Sequence, residues 1–388
     1  MSKKTDKQAV RDANIALDRR QFLGSSAALG AGGLLAGLGL SRYANAQTAA
    51  AAPAAGAPPA GAPPAGAPPA GAPPAGPPEP TVSQPAPLKD LKGKVAYVTA
   101  SSDGIGLGIA RAASNAGMKV VIGYRNEERL KAALPLFKAG NAGVLAIKHD
   151  VTDRDGWKAL LDEVISKYGK LHLVVNNAGI KTLRQASQAK FDEWDNAVAV
   201  NVTAIYNSVA ACLPHMLQHG EGGHFVTTAS MGGLLPGVNA GVYTSTKIAA
   251  VGIMEALRVE LETTNIGTSV FCPGGVNTDN YVGSGEENPL RKAPPNGAPR
   301  FAFAGMDPLE AGERVMHGVV NNDLFILSHP EFKAGMQERF DAIMASTPKV
   351  ETPIPQPRID YERVVLRCGI YEREIEHRQR KRKSYREV

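Results

Sequence analysis

Residues 88–346 predict a doubly wound α/β domain, one parallel sheet of about seven strands with helices on both faces. Three observations carry this prediction. Short β-branched runs alternate with longer helical patterns, a glycine-rich turn joins the first strand to the first helix, and the unusual residues gather where strands end. Alternation of this kind needs parallel strands linked by crossover helices, and ligands of such sheets bind outside the carboxyl ends of the strands.

In chain order, Val95-Ala96-Tyr97-Val98-Thr99 reads as a strand, followed by the turn and a helix through Asn115. Val120-Val121-Ile122, a helix from about Glu127, and Val144-Leu145-Ala146-Ile147 follow. Another helix starts near Arg154, before Leu171-His172-Leu173-Val174-Val175. The later strands are His224–Thr228, Thr268–Phe271 and Leu324–Leu327.

The turn after the first strand reads Thr99-Ala100-Ser101-Ser102-Asp103-Gly104-Ile105-Gly106-Leu107-Gly108. Between a strand and a helix, glycines let the backbone approach a pyrophosphate, which then rests on the helix N-terminus. The fold is therefore Rossmann-like. The second strand ends Ile122-Gly123-Tyr124-Arg125-Asn126, with no acid before Glu127. An acid there would hold a ribose diol, whereas a guanidinium pairs with a 2′-phosphate. Arg125 thus points to NADP, with NAD as the alternative. The third strand ends at His149-Asp150-Val151, where Asp150 can accept a hydrogen bond from an adenine amine, and the fourth at Asn176-Asn177-Ala178-Gly179.

The fifth strand delivers Ser230, and Tyr243 and Lys247 follow one helical turn apart, on one helix face. A phenol is a weak acid, and a neighbouring ammonium makes it a usable proton donor or acceptor. Ser230 would orient the oxygen of the reacting group.

With these pieces in order, the chain resembles the short-chain dehydrogenase/reductase family across residues 90–346. The resemblance rests on the glycine-rich turn, Asn176–Gly179, Asn201, Ser230, Tyr243 with Lys247, and Pro273-Gly274 followed by Val276-Asn277-Thr278. It implies a catalytic tetrad of Asn201, Ser230, Tyr243 and Lys247 that interconverts an alcohol and a ketone or aldehyde, with Asn201 holding a water on the proton path from Lys247. It further implies a cofactor site. Thr99, Ser101, Ser102, Asp103, Gly104, Ile105 and Gly106 supply its first wall, and Arg125, Asp150, Val151, Asn177, Ala178 and Gly179 the next. Tyr243, Lys247, Pro273, Gly274, Val276 and Thr278 close it around the nicotinamide. Ala100 stands where the family usually has glycine, which is tolerated if its φ stays negative. The family resemblance also implies a homodimer or homotetramer. An intact tetrad argues against the other reading, a catalytically silent NADP-binding sensor or scaffold.

Residues 1–46 have the layout of an export signal. A basic region ends in Arg19-Arg20-Gln21-Phe22-Leu23, a small-residue apolar segment runs from Gly24 to Leu40, and Ala44-Asn45-Ala46 offers a cleavage site. The arginine pair resembles the twin-arginine type, which carries folded proteins out of the cytoplasm, so the expected location is the periplasm, with membrane contact only if the signal stays uncleaved. Residues 47–87 form a Pro/Ala/Gly spacer, with four copies of Ala-Pro-Pro-Ala-Gly over residues 57–76. The substrate loop is expected at Asp279–Met306, with Tyr281, Val282, Leu290, Phe301, Phe303 and Met306 as apolar contacts for an aromatic or alicyclic alcohol or ketone. Residues 347–388 read as a charged tail, a solvated helix or an arm toward a neighbouring subunit or acidic lipid.

The formal charge of +6 is no nucleic-acid signature, because residues 1–46 hold a net +4 of it. Cys212, Cys272 and Cys368 are widely spaced, which argues against a metal site or a disulfide framework.

Overall fold

The structure is a computed structural model that describes residues 80–137, 144–278, 305–350, 352–359, 369–380 and 385. The segment expected to be an export signal (residues 1–46), nearly all of the expected spacer, Cys368 and the loop residues 279–304 lie outside the described residues.

The elements alternate as expected. They are β1 Val95–Val98, α1 Gly104–Asn115, β2 Lys119–Tyr124, α2 Glu127–Ala133, β3 Leu145–Lys148, α3 Arg154–Tyr168 and β4 Leu173–Asn176. Then come α4 Phe191–Val198, α5 Ala204–His219, β5 Gly223–Thr228, α6 Gly241–Leu261 and β6 Ile266–Cys272. The chain continues through α7 Pro308–Asn321, β7 Phe325–Leu327, α8 Lys333–Ala345 and α9 Gly369–Gln379. The seven strands form one sheet in the order β3-β2-β1-β4-β5-β6-β7, and every pairing is parallel. The strand order reverses between β1 and β4, so the crevice lies above their carboxyl ends.

Alternation along the strands builds two cores. Val95 and Tyr97 of β1 face the layer containing Trp157, Ile205 and Met254, whereas Ala96 and Val98 face Ile109 and Val315 on the other side. The second layer is tight because α1 and α7 cross at glycines: a Cβ on Gly108 would lie 1.8 Å from the Pro308 carbonyl oxygen, and one on Gly312 2.3 Å from that of Gly108. Short side chains start the helices. Asp153 accepts from the Asp155 amide to open α3, and Asp307 accepts from the Leu309 and Glu310 amides to open α7.

The segment around Gln84 and the helix α9 dock at the amino end of the sheet. Gln84, placed in the spacer by its sequence context, is buried, and its Nε2 donates to the carbonyls of Leu261 (3.1 Å), Thr264 (2.8 Å) and Ile266 (3.0 Å). Helix α9, read from the sequence as part of a solvated tail, buries Ile370 and Arg373. Its arginines meet acids on the body. Arg373 grips Glu262 with Nε at 2.5 Å and Nη2 at 2.6 Å, and Arg378 pairs with Asp323 at 3.1 Å. Arg373 also donates to the Pro80 carbonyl at 2.8 Å, and its own carbonyl accepts from Ser83 Oγ at 3.0 Å. Arg373 and Arg378, within the stretch read as a charged tail, are partners for buried acids, which no local pattern reveals.

Candidate active site

At the carboxyl end of β1 the glycine-rich turn is held by its own side chains. Thr99 Oγ1 accepts from the amides of Asn177 and Ala178, both at 2.8 Å, and donates to the Val175 carbonyl at 3.2 Å. Ser101 is fully buried, its Oγ donating to the Val98 carbonyl at 2.6 Å. These two predicted cofactor residues therefore engage the protein with their hydroxyls, Thr99 tying the end of β1 to the end of β4 and Ser101 closing the turn. Gly106 is a close approach: a Cβ there would lie 2.4 Å from the Ala100 carbonyl oxygen and 2.5 Å from Asn177 Nδ2. Ser102 is buried beside them.

Ala100 departs from the expectation of negative φ. Its φ is +47°, and Gly104 follows at +55°. The turn needs the left-handed conformation at residue 100 because Ser101 must return its amide to the Gly123 carbonyl at 2.9 Å. Alanine therefore holds a glycine's conformation, with the strain that entails.

The turn fits a dinucleotide. Asp103 precedes α1 without accepting a hydrogen bond from its first turn, so the opening amides of a twelve-residue helix, from Gly104, Ile105 and Gly106, carry no side-chain cap. Uncapped amides at the positive end of a helix dipole are donors for a pyrophosphate. Asp103 instead pairs with Arg129 of α2.

At the ends of β2 and β3, two predicted residues meet each other. Arg125 Nη1 lies 3.5 Å from Asp150 Oδ2, and both side chains are largely exposed. Asp150 also accepts from the Thr152 amide (2.9 Å) and hydroxyl (2.7 Å), and these bonds first, then Arg125, hold its carboxyl below the usual range. Val151 is buried, its carbonyl engaged by Trp157 Nε1 at 2.9 Å.

The four tetrad positions converge beside this cleft. Lys247, on α6, is buried and donates from Nζ to the Thr228 carbonyl at 2.9 Å, and Nζ lies 5.7 Å from the centre of the Tyr243 ring. Burial brings the Lys247 ammonium down to about 8. Ser230, just past β5, accepts from the Gly232 amide at 3.0 Å. A Cβ on Gly232 would touch both Tyr243 Cε1 (3.3 Å) and Ser230 Oγ (3.5 Å), so those two side chains border one small space. Asn201 sits in a π-turn, Ala199–Thr203, between α4 and α5, an interruption common at functional sites. Its Oδ1 accepts from the Ile180 amide at 2.8 Å, and its Nδ2 donates to the Ile180 carbonyl and Thr246 Oγ1, both at 2.9 Å. A Cβ on Gly179 would lie 3.4 Å from both Asn201 Oδ1 and Lys247 Nζ, which brings the amide and the ammonium to the same glycine.

Beyond β6, the Pro273 carbonyl accepts from the Met231 amide at 2.9 Å, tying this turn to the residue after Ser230. Val276 is buried and bridges to Met306, and Thr278 is half-buried at the edge of the described residues. Of the expected substrate loop, Met306 is described, and Tyr281, Val282, Leu290, Phe301 and Phe303 lie outside the described residues. Cys272 behaves as a core residue, buried, with its thiol pushed up to about 12 by burial. One residue that sequence reasoning passed over is His329, which packs on Gly274. It lies two positions past β7, and nothing local marks it out.

Known proteins place this arrangement. The family model described as short chain dehydrogenase matches residues 94–288. A C alpha-dehydrogenase of Sphingobium sp. is 28% identical over 277 residues, covering 68% of this chain and 90% of that protein. The structure of a short-chain dehydrogenase from Novosphingobium aromaticivorans superposes with a TM-score of 0.62 at 31% identity, covering 75% of this chain and 99% of the other. A short chain dehydrogenase/reductase from Burkholderia phymatum, solved in complex with NAD, superposes at 0.58 with 26% identity, covering 69% and 99%. With its sheet order, its uncapped glycine-rich turn and its converging Ser, Tyr, Lys and Asn, the chain belongs to the short-chain dehydrogenase/reductase family, oxidoreductases that act on alcohols and carbonyls with NAD(H) or NADP(H).

Proposed function

We propose that the protein interconverts an alcohol and its ketone or aldehyde, with NADP as the preferred dinucleotide and Tyr243 as the general acid/base. The observation that carries this reading is the meeting of Tyr243, Ser230 and a buried Lys247 at the carboxyl end of β5. When bound, the dinucleotide supplies the hydride carrier. Ser230 Oγ already accepts from the Gly232 amide, so its own proton is directed to the substrate oxygen. Tyr243 exchanges a proton with that same oxygen. Lys247 gives one of its protons to the Thr228 carbonyl, which leaves the others to hold a ribose hydroxyl of the dinucleotide when it is bound. Because its ammonium titrates near 8, Lys247 is charged at neutral pH yet close enough to exchange to pass protons on.

Arg125 beside the cleft supports the NADP preference, since a guanidinium with one weakly held carboxylate partner can turn to a 2′-phosphate. An apolar substrate is supported by the apolar side chains that the sequence places in the loop 279–306, among them Tyr281, Leu290, Phe301 and Phe303. Exposed Tyr206 and Leu217 on α5 and Ile248 on α6 support a homodimer or homotetramer through these helices. The arginine-pair signal supports export with the dinucleotide already bound. Tyr243→Phe tests the central claim: turnover should fall by about 10²–10⁴-fold with dinucleotide affinity unchanged, and retained turnover overturns the assignment.

A further inference from the structure

We propose that His329 is a positioning residue for the nicotinamide half of the dinucleotide, acting through the Pro273–Gly275 turn. The inference rests on the reading that the dinucleotide occupies the cleft. Both ring nitrogens of His329 engage the backbone of this one turn. The Gly274 amide donates to Nδ1 at 2.9 Å, and Nε2 meets the Gly275 carbonyl at 3.0 Å. An amide donating to Nδ1 puts the ring proton on Nε2, so Nε2 is the donor to Gly275. Ser328 Oγ, 2.8 Å from Nδ1, shares this acceptor.

The ring packs directly against the glycine. A Cβ on Gly274 would be 2.7 Å from both Cγ and Cδ2 of His329, and Phe332 closes the same side at 2.9 Å. His329 is buried, so its two hydrogen bonds are formed away from competing water. The clamped turn is also the junction of the active-site loops. The Pro273 carbonyl receives the amide of Met231, next to Ser230, and the Gly275 carbonyl receives that of Met306, where the substrate loop returns. A shift of the turn therefore moves one wall of the space beside Ser230 and Tyr243, while the glycine-rich turn, across β1 and β4, stays in place. Space-filling alone would be met by any ring of this size. The use of both nitrogens on adjacent residues of one turn is what distinguishes orientation from packing.

The test compares full dinucleotide with its nicotinamide-free half. Titration calorimetry on the full chain would use whichever of NAD⁺ and NADP⁺ the wild type binds more tightly, and the matching ADP-ribose or 2′-phospho-ADP-ribose. His329→Phe should weaken the dinucleotide about tenfold, the worth of one to two hydrogen bonds, and leave the ADP-ribose compound within about twofold. His329→Asn puts an amide oxygen where Nδ1 stood, and His329→Gln an amide nitrogen where Nε2 stood, so each should restore part of the loss. These two variants keep the test open if the Phe variant does not fold. Equal weakening of both ligands, no weakening of either, or no recovery in Asn and Gln overturns the proposal. A wild-type protein that binds neither ligand refutes the cleft reading itself, a separate result.

Discussion

Replacing His224 with Gln should flatten the acid side of the protein's stability profile. His224 lies near the start of β5 and is fully buried, with Nε2 2.8 Å from Ser269 Oγ. Ser269 in turn donates to the Asp323 carbonyl, so the histidine must be the donor in their shared bond. Nδ1 is buried without a hydrogen-bond partner. Burial pushes the imidazole down to about 3 from its ordinary 6.5, with Arg258 adding to the effect and Asp323 opposing it. As pH falls, the unfolded chain takes up this proton first, so folding loses stability from about pH 6.5 downward, at about 1.4 kcal/mol per pH unit. Above that pH the group imposes no penalty. Between pH 7 and pH 5 the loss from His224 is then about 2 kcal/mol. Gln extends an amide nitrogen toward Ser269 and does not titrate. Urea unfolding at the two pH values should therefore show the variant losing about 2 kcal/mol less than the wild type. His172, lowered to about 4 mainly by burial, contributes equally to both proteins and cancels in the comparison. Glu221, held far below the usual carboxylate range by Lys170 and Lys94, has no effect until more acid conditions. An identical loss in both proteins would refute a neutral, buried His224.

Three further perturbations follow from the same geometry. Ala100→Gly should raise stability by roughly 1 kcal/mol in thermal unfolding, because glycine adopts a positive φ without strain; a loss would show that residue 100 does not hold this conformation. Arg373→Ala leaves Glu262 buried without its bidentate partner and should cost about 3–5 kcal/mol in urea unfolding, with the Michaelis constant for dinucleotide unchanged. Arg125→Asp should turn dinucleotide preference from NADP toward NAD in steady-state assays, and an unchanged ratio removes Arg125 from cofactor choice.

Features written in local sequence were legible, and features written in contact were not. The strands around Val121 and Val226 announce themselves by β-branched runs, and the turn at Gly104 and Gly106 by its place between a strand and a helix. Tyr243 and Lys247 share a face because four residues make about one helical turn. By contrast, Thr99 and Ser101 look like ligand-facing hydroxyls until their partners are seen, the end of β4 at Val175, Asn177 and Ala178 for Thr99 and the Val98 carbonyl for Ser101. Ala100 gives no sign of its positive φ, since alanine is chosen against that conformation. The α9 helix has the composition of a solvated segment, and only the acids at Glu262 and Asp323, more than fifty residues away, explain why it docks. His329 is invisible for the same reason: its partners at Gly274 and Gly275 are 55 and 54 residues distant.

The two ends of the sheet have been given different work, and the division follows from parallel topology. In a parallel sheet every strand presents its carboxyl end on one side, so the loops that leave there can be varied together around one crevice. Ser230, Asn177, Gly274 and the turn after β1 all leave on that side. At the amino end the chain must instead close off exposed strand starts and helix ends. The two N–H groups of Gln84 are shared among three carbonyls there, Arg258 donates to the Asn322 carbonyl at 3.0 Å, and Arg373 joins α9 to Pro80. The described chain thus begins at a point separated from the crevice by the full length of the strands. Anchoring contacts at one end and reacting groups at the other need not compete for the same residues. That separation is why loss of Arg373 should weaken folding while sparing dinucleotide binding, and why change at His329 should reach the nicotinamide half of the dinucleotide.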